Sequence, residues 1–570
     1  MAVLGKHGGA FPKGVSEYRK IRREGYAFVD KTAFIADVLD SGAETTLFTR
    51  PRRFGKTLNM LMLRDFLERG DEDVTDVFSD TEIWRLPGDY RQHFMRYPVI
   101  WLSLKQLDGD SWETMHAKVV AELRYERRRL AALHPGFEAR VAAAGLDAPE
   151  GWSGFLKLAS EALHGLTKQR VVILIDEYDS PLHRAWLGGY WTKAVDFFRT
   201  LLSGGLKDNA HLWKGVLTGI LRVAKESLFS GLNNFANNGV LQSRSASRFG
   251  FLESEVEALA VRAGLPDAMP ELRRWYNGYR FGGVEAAVVY NPWSIISRLD
   301  EPKEPCAAHW LGTSGNDLAR DLMRRTAAEN GDALRRLLAG ESVEVQLFDN
   351  LSLQDLYTDH GMLWPLLCYS GYLTPSGLTP SRGAWKAALK VPNEEVMEAF
   401  TSTFLSILGS LAEVAIGGPL ASVSRALLAG DAEALEAELT KVMVRALSYH
   451  DLVPGSPAVP VESVYHAFIL GLLLHLGPDW HVKSNPESGL GRPDVMIWPK
   501  QGQGPGVVME FKVLGRGETV ETALGRAMAQ MRKKAYATQL REAGCDPIHE
   551  LGVVFDGKLA WVASTAEPDA

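Results

Sequence analysis

Residues 48–63 read FTRPRRFGKTLNMLML, and this stretch decides how the N-terminal half of the chain folds. Leu47 to Thr49 make a short strand, and from Leu58 apolar residues recur at helical spacing. Between them stands Gly55-Lys56-Thr57. A strand, a tight loop and a helix opening on Gly-Lys-Thr is the setting that cradles phosphate. Backbone N–H groups at a helix start point at anions. Lys56 reaches the β- and γ-phosphates of a nucleotide, and the Thr57 hydroxyl meets Mg²⁺. Where such loops usually begin with glycine, this one has Arg50, followed by Pro51, Arg52 and Arg53. The loop is therefore stiff and cationic, and its arginines are expected to face phosphate or an acidic partner.

The second half of the pattern is VVILIDEYDS, from Val171. Five apolar residues predict a fully buried strand with Asp176 and Glu177 at its carboxyl end. Asp176 is placed to orient Mg²⁺ and Glu177 to polarise an attacking water. A third apolar run, LWKGVLTGIL from Leu212, ends in Thr218-Gly219, where Thr218 is placed to sense the terminal phosphate. Arg222 follows one turn later and is expected to contact phosphate, in cis or across the interface of a homo-oligomer. The alternative is a strand end beside a surface arginine.

Composition bounds these readings. At 570 residues the chain exceeds one core and suggests about three or four units. With 46% hydrophobic and 23% charged residues it is an ordinary globular chain, not a disordered one. A net charge of −7 excludes an all-basic surface but not a local basic groove. The three cysteines form no metal-ligand pair, and the odd count fits a reducing compartment. The N-terminus has no apolar signal region, and the run AFILGLLL is too short to span a bilayer. The expected location is the cytoplasm, with no membrane contact.

The phrases EGYAFVDKTAFIADVL, RPRRFGKTLNMLML, LIDEYDSPL, TGILRVAKESLFSGLNN, WYNGYRFG and YNPWSI, in order between residues 15 and 395, resemble the bacterial AAA-ATPase-like family, which often carries a C-terminal PD-(D/E)xK nuclease-like domain. RPRRFGK is similar to that family's own loop, so Arg50 does not weaken the likeness. The resemblance implies an α/β P-loop ATPase, taken here as residues 1–250. A helical and winged-helix-like connector is expected over 251–398, helices over 399–455, and a restriction-endonuclease-like α/β domain over 456–570. Within the connector, WYNGYRFGG and VYNPWSI read as an aromatic core or, less favoured, a base-stacking platform. GYLTP and AALKVP read as the two strands of a hairpin wing around a Ser/Gly/Arg-rich turn, and Asn393 as the cap of the next helix.

Near the C-terminus, GRPDVMIWPKQGQGPGVVMEFKV spans residues 491–513. The Gly/Pro-rich turn predicts a hairpin. Residues two apart share a strand face, so Glu510 and Lys512 project together while Phe511 enters the core. Pairing brings Asp494 beside Glu510. Two adjacent carboxylates repel unless a cation joins them, and hard oxygen ligands suit Mg²⁺ or Mn²⁺. Lys512 is placed to position water or stabilise charge at phosphorus.

Pro493-Asp494 with Glu510-x-Lys512 resembles the PD-(D/E)xK core. The resemblance implies a further metal ligand at Glu462, on the apolar helix before the core. A helix over 524–540 carries Arg526, Arg532, Lys533 and Lys534, a basic face for nucleic-acid phosphates. Relatives place a Gln and a Tyr on this helix. Here Gln530 and Tyr536 are six apart, about 240° around an ideal helix, so they are expected to diverge, with Gln530 on the nucleic-acid face alongside Lys534, four residues on.

Together these expectations describe an ATPase using ATP and Mg²⁺ or Mn²⁺, joined to a metal-dependent endonuclease acting on nucleic acid, DNA before RNA. The alternative is a switch ATPase whose nuclease-like domain binds without cleaving.

Overall fold

The computed structural model describes residues 10–107, 109–148, 151–207, 209–222, 235–310, 317–326, 340–348, 359–381, 384–400, 421–446, 480–484, 491–500, 503–515 and 517–564, with isolated positions between them. The chain divides into two compact units, Met1–Leu322 with Ser342–Glu398, and Met323–Glu341 with Ala399–Ala570. Among the described residues no helix is long and apolar enough to cross a membrane.

Thr45–Thr49 (β1), Val99–Ser103 (β2), Val171–Asp176 (β3), Leu212–Gly219 (β4) and Phe235–Asn238 (β5) form one parallel sheet in the first unit. Their order is β2-β3-β4-β1-β5. Every residue of β1 and β3 is buried, because both faces of the sheet are covered. On one face Leu47, Ile100, Ile173 and Leu217 pack with Phe155 and Phe198. On the other, Phe48 meets Phe34 edge-on at 5.0 Å. The register sets Thr49 beside Gly219 and Ser103 beside Asp176, so the strand carboxyl ends lie level. Ligands of open parallel sheets bind at that edge. Because β4 runs between β1 and β3, Thr218 lands between the phosphate loop and Asp176.

Apart from Met323–Glu341, the connector falls in the same unit as the loop. Tyr279–Phe281 (β6) pairs with Ala287–Val289 (β7), and the helix Pro292–Asp300 follows. Proline at its start and the Asn291 side chain, which accepts from the Trp293 N–H at 2.9 Å, open that helix. Val343–Leu347 (β8), Thr374–Ser381 (β9) and Ala384–Lys390 (β10) make an antiparallel sheet in the order β8-β10-β9. The wing is longer than GYLTP and AALKVP suggest: Ser376 and Gly377, expected in the turn, lie inside β9, where pairing with β10 outweighs their weak strand preference. Asn393 caps the next helix as expected, accepting from the Val396 N–H at 3.0 Å. The aromatic motif is core: Tyr276, Tyr279, Phe281 and Tyr290 are buried, leaving these rings no free face for a base.

In the second unit Trp480–Ser484 (β11), Val495–Pro499 (β12), Gly506–Val513 (β13), Ile548–Asp556 (β14) and Leu559–Ser564 (β15) form a sheet in chain order. Only the β13–β14 pair is parallel. The sheet has two apolar faces. Val507, Met509 and Phe511 pack with Val442 and Tyr465. Val508 on the opposite face packs with Met496, Met531 and Tyr536. The basic helix runs Val520–Lys534 and stops at Ala535, which is left-handed at φ 51°. The expected continuation to Leu540 is instead a turn and a second short helix, Thr538–Glu542. Two helices, Ala421–Leu428 and Ala432–Ala446, occupy part of the expected helical stretch 404–448, whose remainder lies outside the described residues.

Candidate nucleotide cavity and candidate nuclease centre

A cavity of about 570 Å³ opens at the carboxyl edge of the parallel sheet. Residues Arg52 to Asn59 form its floor, Glu177 and the helix Ser180–Leu187 one wall, and Phe28, Phe251 and Trp293 an apolar side. Gly55 is left-handed at φ 80° and opens the helix Lys56–Leu67. Arg53 adopts a left-handed φ of 67° without being glycine. Glu177, at the turn after β3, does the same at φ 53°. Such residues cost about 1–3 kcal/mol each and persist where surrounding structure holds them, often at functional sites.

At the floor, Asp176 is fully buried and bridges two hydroxyls. Thr57 Oγ1 donates to its Oδ2 at 2.7 Å and Thr218 Oγ1 donates to its Oδ1. The expected trio of Thr57, Asp176 and Thr218 is thus one connected cluster. Lys56 Nζ donates to the carbonyls of Arg50 and Pro51 at 3.0 and 2.8 Å. An ammonium has three donors, so this bracing of the loop leaves one for a ligand. Burial pushes the Lys56 pKa down, against the pull of Glu177 and Asp176. Burial pushes Glu177 up, against the pull of Lys56. A carboxyl raised toward neutrality is suited to accept a proton. A hydroxyl and a carboxylate side by side fit a hard divalent cation beside a triphosphate.

The arginines divide. Arg50 is not on the cavity: it is fully buried, and Nη1 donates to the carbonyls of Thr49 at 2.8 Å and Asn238 at 2.6 Å. Its guanidinium lies over Phe249 and Phe281 at 4.9 and 5.2 Å. Its expected place at the phosphate is therefore corrected: strand β5 and the aromatic core enclose the side chain, which locks the loop to them. Arg53 does line the cavity, stacked over Trp293 at 3.7 Å, with Nη1 buried and not hydrogen-bonded. Arg222 lies not on this cavity but at a separate small pocket with Thr49, Gln242 and Tyr369, which corrects the expected contact in cis and leaves the contact across a homo-oligomer interface a proposal. Side chains that sequence reasoning did not name, the cations Lys105 and Arg184 and the imidazole of His183, line the main cavity instead. Ser180, His183, Arg184 and Leu187 recur at one helical face directly after Glu177, a spacing visible in the sequence.

The loop is anchored to the connector. Phe54 meets Tyr279 and Phe281 edge-on at 4.8 and 5.2 Å. Gly371 leaves so little room that a Cβ there would come within 2.8 Å of Pro51. Beside Trp293, the Ser294 hydroxyl donates to fully buried Glu395 at 2.7 Å, and the Trp310 N–H donates to it at 2.8 Å. Burial pushes Glu395 from the ordinary 4.5 up to about 7, with Ser294 and the more distant Arg53 opposing. The folded chain keeps this proton where the unfolded chain has lost it. The associated stability is whole below the ordinary carboxyl pKa and disappears as pH rises through about 7. The shift corresponds to about 3 kcal/mol. Melting temperature is expected to fall between pH 5 and 8 in the wild type, and the fall should be much smaller in Glu395→Gln. Parallel melts of both proteins with equal slopes would remove Glu395 as the cause.

In the second unit, β12 pairs with β13 from Val495 opposite Met509, and one step further sets Asp494 opposite Glu510. Asp494 Oδ2 accepts from the Phe511 N–H at 2.7 Å. Glu510 is buried, and Lys512 Nζ donates to its Oε1 at 2.8 Å and to the Phe511 carbonyl at 2.9 Å. The three expected residues are therefore together, on the sheet face that carries the helix Val520–Lys534. Two carboxylates with a lysine alongside suit a hard divalent cation. Among the described residues no group of three or more candidate metal ligands assembles. Glu462 lies outside the described residues.

Gln530 and Tyr536 do meet, Gln530 Nε2 donating to the Tyr536 hydroxyl at 3.3 Å. The expectation that they diverge assumed one regular helix; the left-handed Ala535 ends the helix and folds Tyr536 back. The loop before Asp494 docks on this turn. Ser488 Oγ donates to the Tyr536 carbonyl at 2.6 Å, and a Cβ at Gly489 would come within 2.3 Å of the Ala535 carbonyl oxygen. Arg532 and Lys533 are exposed at the helix end and Lys534 is half-buried. Arg526 is engaged by Glu518 at 2.8 Å.

The chain is 28% identical over 548 residues to an uncharacterized protein encoded in the vnfD 5′ region of Azotobacter chroococcum mcd 1, covering 95% of this chain and 96% of that one. The Walker-type ATPase of Pyrococcus abyssi aligns with 66% of this chain and 97% of its own, at 12% identity and a TM-score of 0.34. Residues 12–229 match the predicted AAA-ATPase family, and residues 461–565 match the PD-(D/E)XK nuclease superfamily. The chain thus joins an AAA-ATPase-like domain to a C-terminal PD-(D/E)XK nuclease superfamily domain.

Proposed function

We propose that this chain is an ATP-hydrolysing switch whose nucleotide state controls a divalent-metal-dependent DNA endonuclease on the same chain. The observation that carries the reading is the presence of two separate acidic centres of different build. One is Asp176 bridging the Thr57 and Thr218 hydroxyls beneath a cavity; the other is Asp494 beside Glu510 and Lys512.

At the first centre Lys56 and Arg53 bind the triphosphate, Thr57 and Asp176 hold Mg²⁺, and Thr218 links the sheet to that cluster. Glu177 accepts the proton of the attacking water. At the second, Asp494 and Glu510 hold Mg²⁺ or Mn²⁺. A cation there supplies Lewis acidity to the scissile phosphate. Lys512 stabilises charge at phosphorus, Gln530 and Tyr536 form the neighbouring polar pair, and Arg532, Lys533 and Lys534 lie against nucleic-acid phosphates. A cytoplasmic location is consistent with three buried cysteines, none in a disulfide. A role in mobile-element or anti-phage biology belongs to the same reading.

The second reading is a switch ATPase whose nuclease-like domain binds DNA or a partner without cleaving. The test is the full chain on supercoiled and linear plasmid with Mg²⁺, alone and with ATP, ADP or a non-hydrolysable analogue. Nicking that requires Mg²⁺ and changes with nucleotide supports the first reading. Intact plasmid in every state, with ATP turnover measured in the same tubes, supports the second.

A further inference from the structure

His183 stands on the cavity wall, six residues after Glu177, on the face of the helix Ser180–Leu187 that also presents Ser180, Arg184 and Leu187 to the cavity. Its imidazole is mostly buried, and its Nε2 is buried with no hydrogen bond. The nearest acid is Asp179, whose Oδ2 lies 3.8 Å from Nε2, just beyond hydrogen-bond reach. Asp179 is itself fixed: the same oxygen accepts the backbone N–H groups of Ile220 and Leu221 at 2.9 Å each. Those residues begin the segment leaving β4, directly after Thr218 and Gly219. Gly219 is needed there, because a Cβ would come within 2.8 Å of Asp179 Oδ1 and 2.7 Å of the Tyr178 ring. One helix face thus connects the cavity, through two side chains, to the exit of the strand that carries Thr218.

The geometry points to His183 as the residue that distinguishes nucleoside triphosphate from diphosphate. It takes up a proton from solvent when the terminal phosphate arrives, then donates one ring N–H to that phosphate and the other, Nε2–H, to Asp179. This inference rests on the nucleotide reading of the cavity. Both ring nitrogens donate only in the imidazolium form, so a single proton makes both contacts. Asp179 and Arg52 are the charges that act most on the ring, one favouring the charged form and one opposing it, and burial opposes it further. Lys56, Glu177 and Arg184 share the cavity with it. Without a ligand the ring is therefore neutral near pH 7. The extra negative charge of a γ-phosphate is what the diphosphate lacks. The Nε2–Asp179 gap then closes, and Asp179 carries the change to Ile220 and Leu221.

The test is calorimetric titration of the full chain with Mg²⁺ and either ADP or a non-hydrolysable ATP analogue at pH 7.5, in PIPES and in Tris, which differ in ionisation heat. The expected result is an uptake of about one proton with the triphosphate and much less with ADP. His183→Gln should abolish the difference in uptake and weaken the triphosphate about tenfold, the worth of one charge-assisted hydrogen bond, while leaving ADP affinity unchanged. His183→Lys, with a fixed positive charge, should restore triphosphate affinity without proton uptake. Unchanged ADP affinity also reports that each variant is folded. Equal uptake with both nucleotides, or wild-type uptake in His183→Gln, overturns the inference while the nucleotide reading stands. Failure of the wild type to bind either nucleotide overturns both.

Discussion

Asp494→Asn is expected to lower DNA cleavage about a thousandfold, the several kcal/mol that a correctly held cation contributes to phosphodiester hydrolysis. The substitution separates chemistry from folding. Asparagine keeps an oxygen that can accept the Phe511 N–H, so the hairpin survives, but it removes the charge that faces Glu510. Glu510→Gln should behave alike. Both variants should also lose metal affinity, read by calorimetry independently of cleavage. Lys512→Ala should differ: it removes the amine that bridges Glu510 and the Phe511 carbonyl and keeps both carboxylates. Metal binding should persist while cleavage falls. Calcium should bind in the wild type yet support little cleavage, because its coordination is looser. Wild-type nicking by Asp494→Asn, or full activity in chelator, would remove the centre from the chemistry and leave the binding-module reading in front.

Glu177→Gln is expected to reduce ATP turnover about 10²- to 10⁴-fold, the range for loss of a general base, with nucleotide affinity kept. Glutamine has the same shape and can occupy the same left-handed turn, so the loss would be that of proton acceptance. Lys56→Ala should act on the other quantity. It removes a charge-assisted contact to phosphate worth about 2–3 kcal/mol, or roughly thirty- to hundredfold in affinity. It also removes the brace between the Arg50 and Pro51 carbonyls, so a lower melting temperature should accompany the weaker binding. Calorimetry and steady-state turnover on the two variants give four numbers. Wild-type turnover in Glu177→Gln would exclude it as the base; unchanged affinity in Lys56→Ala would make the loop a structural turn.

The arrangement around the loop has a consequence for coupling. Arg50, Pro51, Arg53 and Phe54 each touch the connector or its aromatic core, at Phe281, Gly371, Trp293 and Tyr279 respectively. The residues that replace the usual flexible glycine are the ones that join the nucleotide cavity to the connector. A phosphate that draws Arg53 from Trp293 would disturb the neighbouring Ser294–Glu395 bond. The Glu395→Gln variant therefore bears on coupling as well as on stability.

Local pattern determined much of this protein. The apolar run before Asp176, the Gly-Lys-Thr helix start and the period-two alternation at Glu510 and Lys512 depend on neighbours a few residues away. The buried strands, the phosphate loop and the hairpin were therefore legible in the sequence, as was Asn393 as a cap. Tertiary structure alone decided where long side chains end. Arg50 reads as one more loop cation, yet β5, 188 residues away in sequence, supplies the Asn238 carbonyl that holds it inside. Arg222 is close in sequence to Thr218 but lies at a different pocket, with Thr49, Gln242 and Tyr369. Gln530 and Tyr536 meet only because one residue, Ala535, takes a left-handed conformation that helical periodicity does not foresee. The physical reason is common to all three: periodicity reports which face of an element is apolar, whereas a flexible polar side chain follows whatever partner the packing of distant segments brings within hydrogen-bond reach.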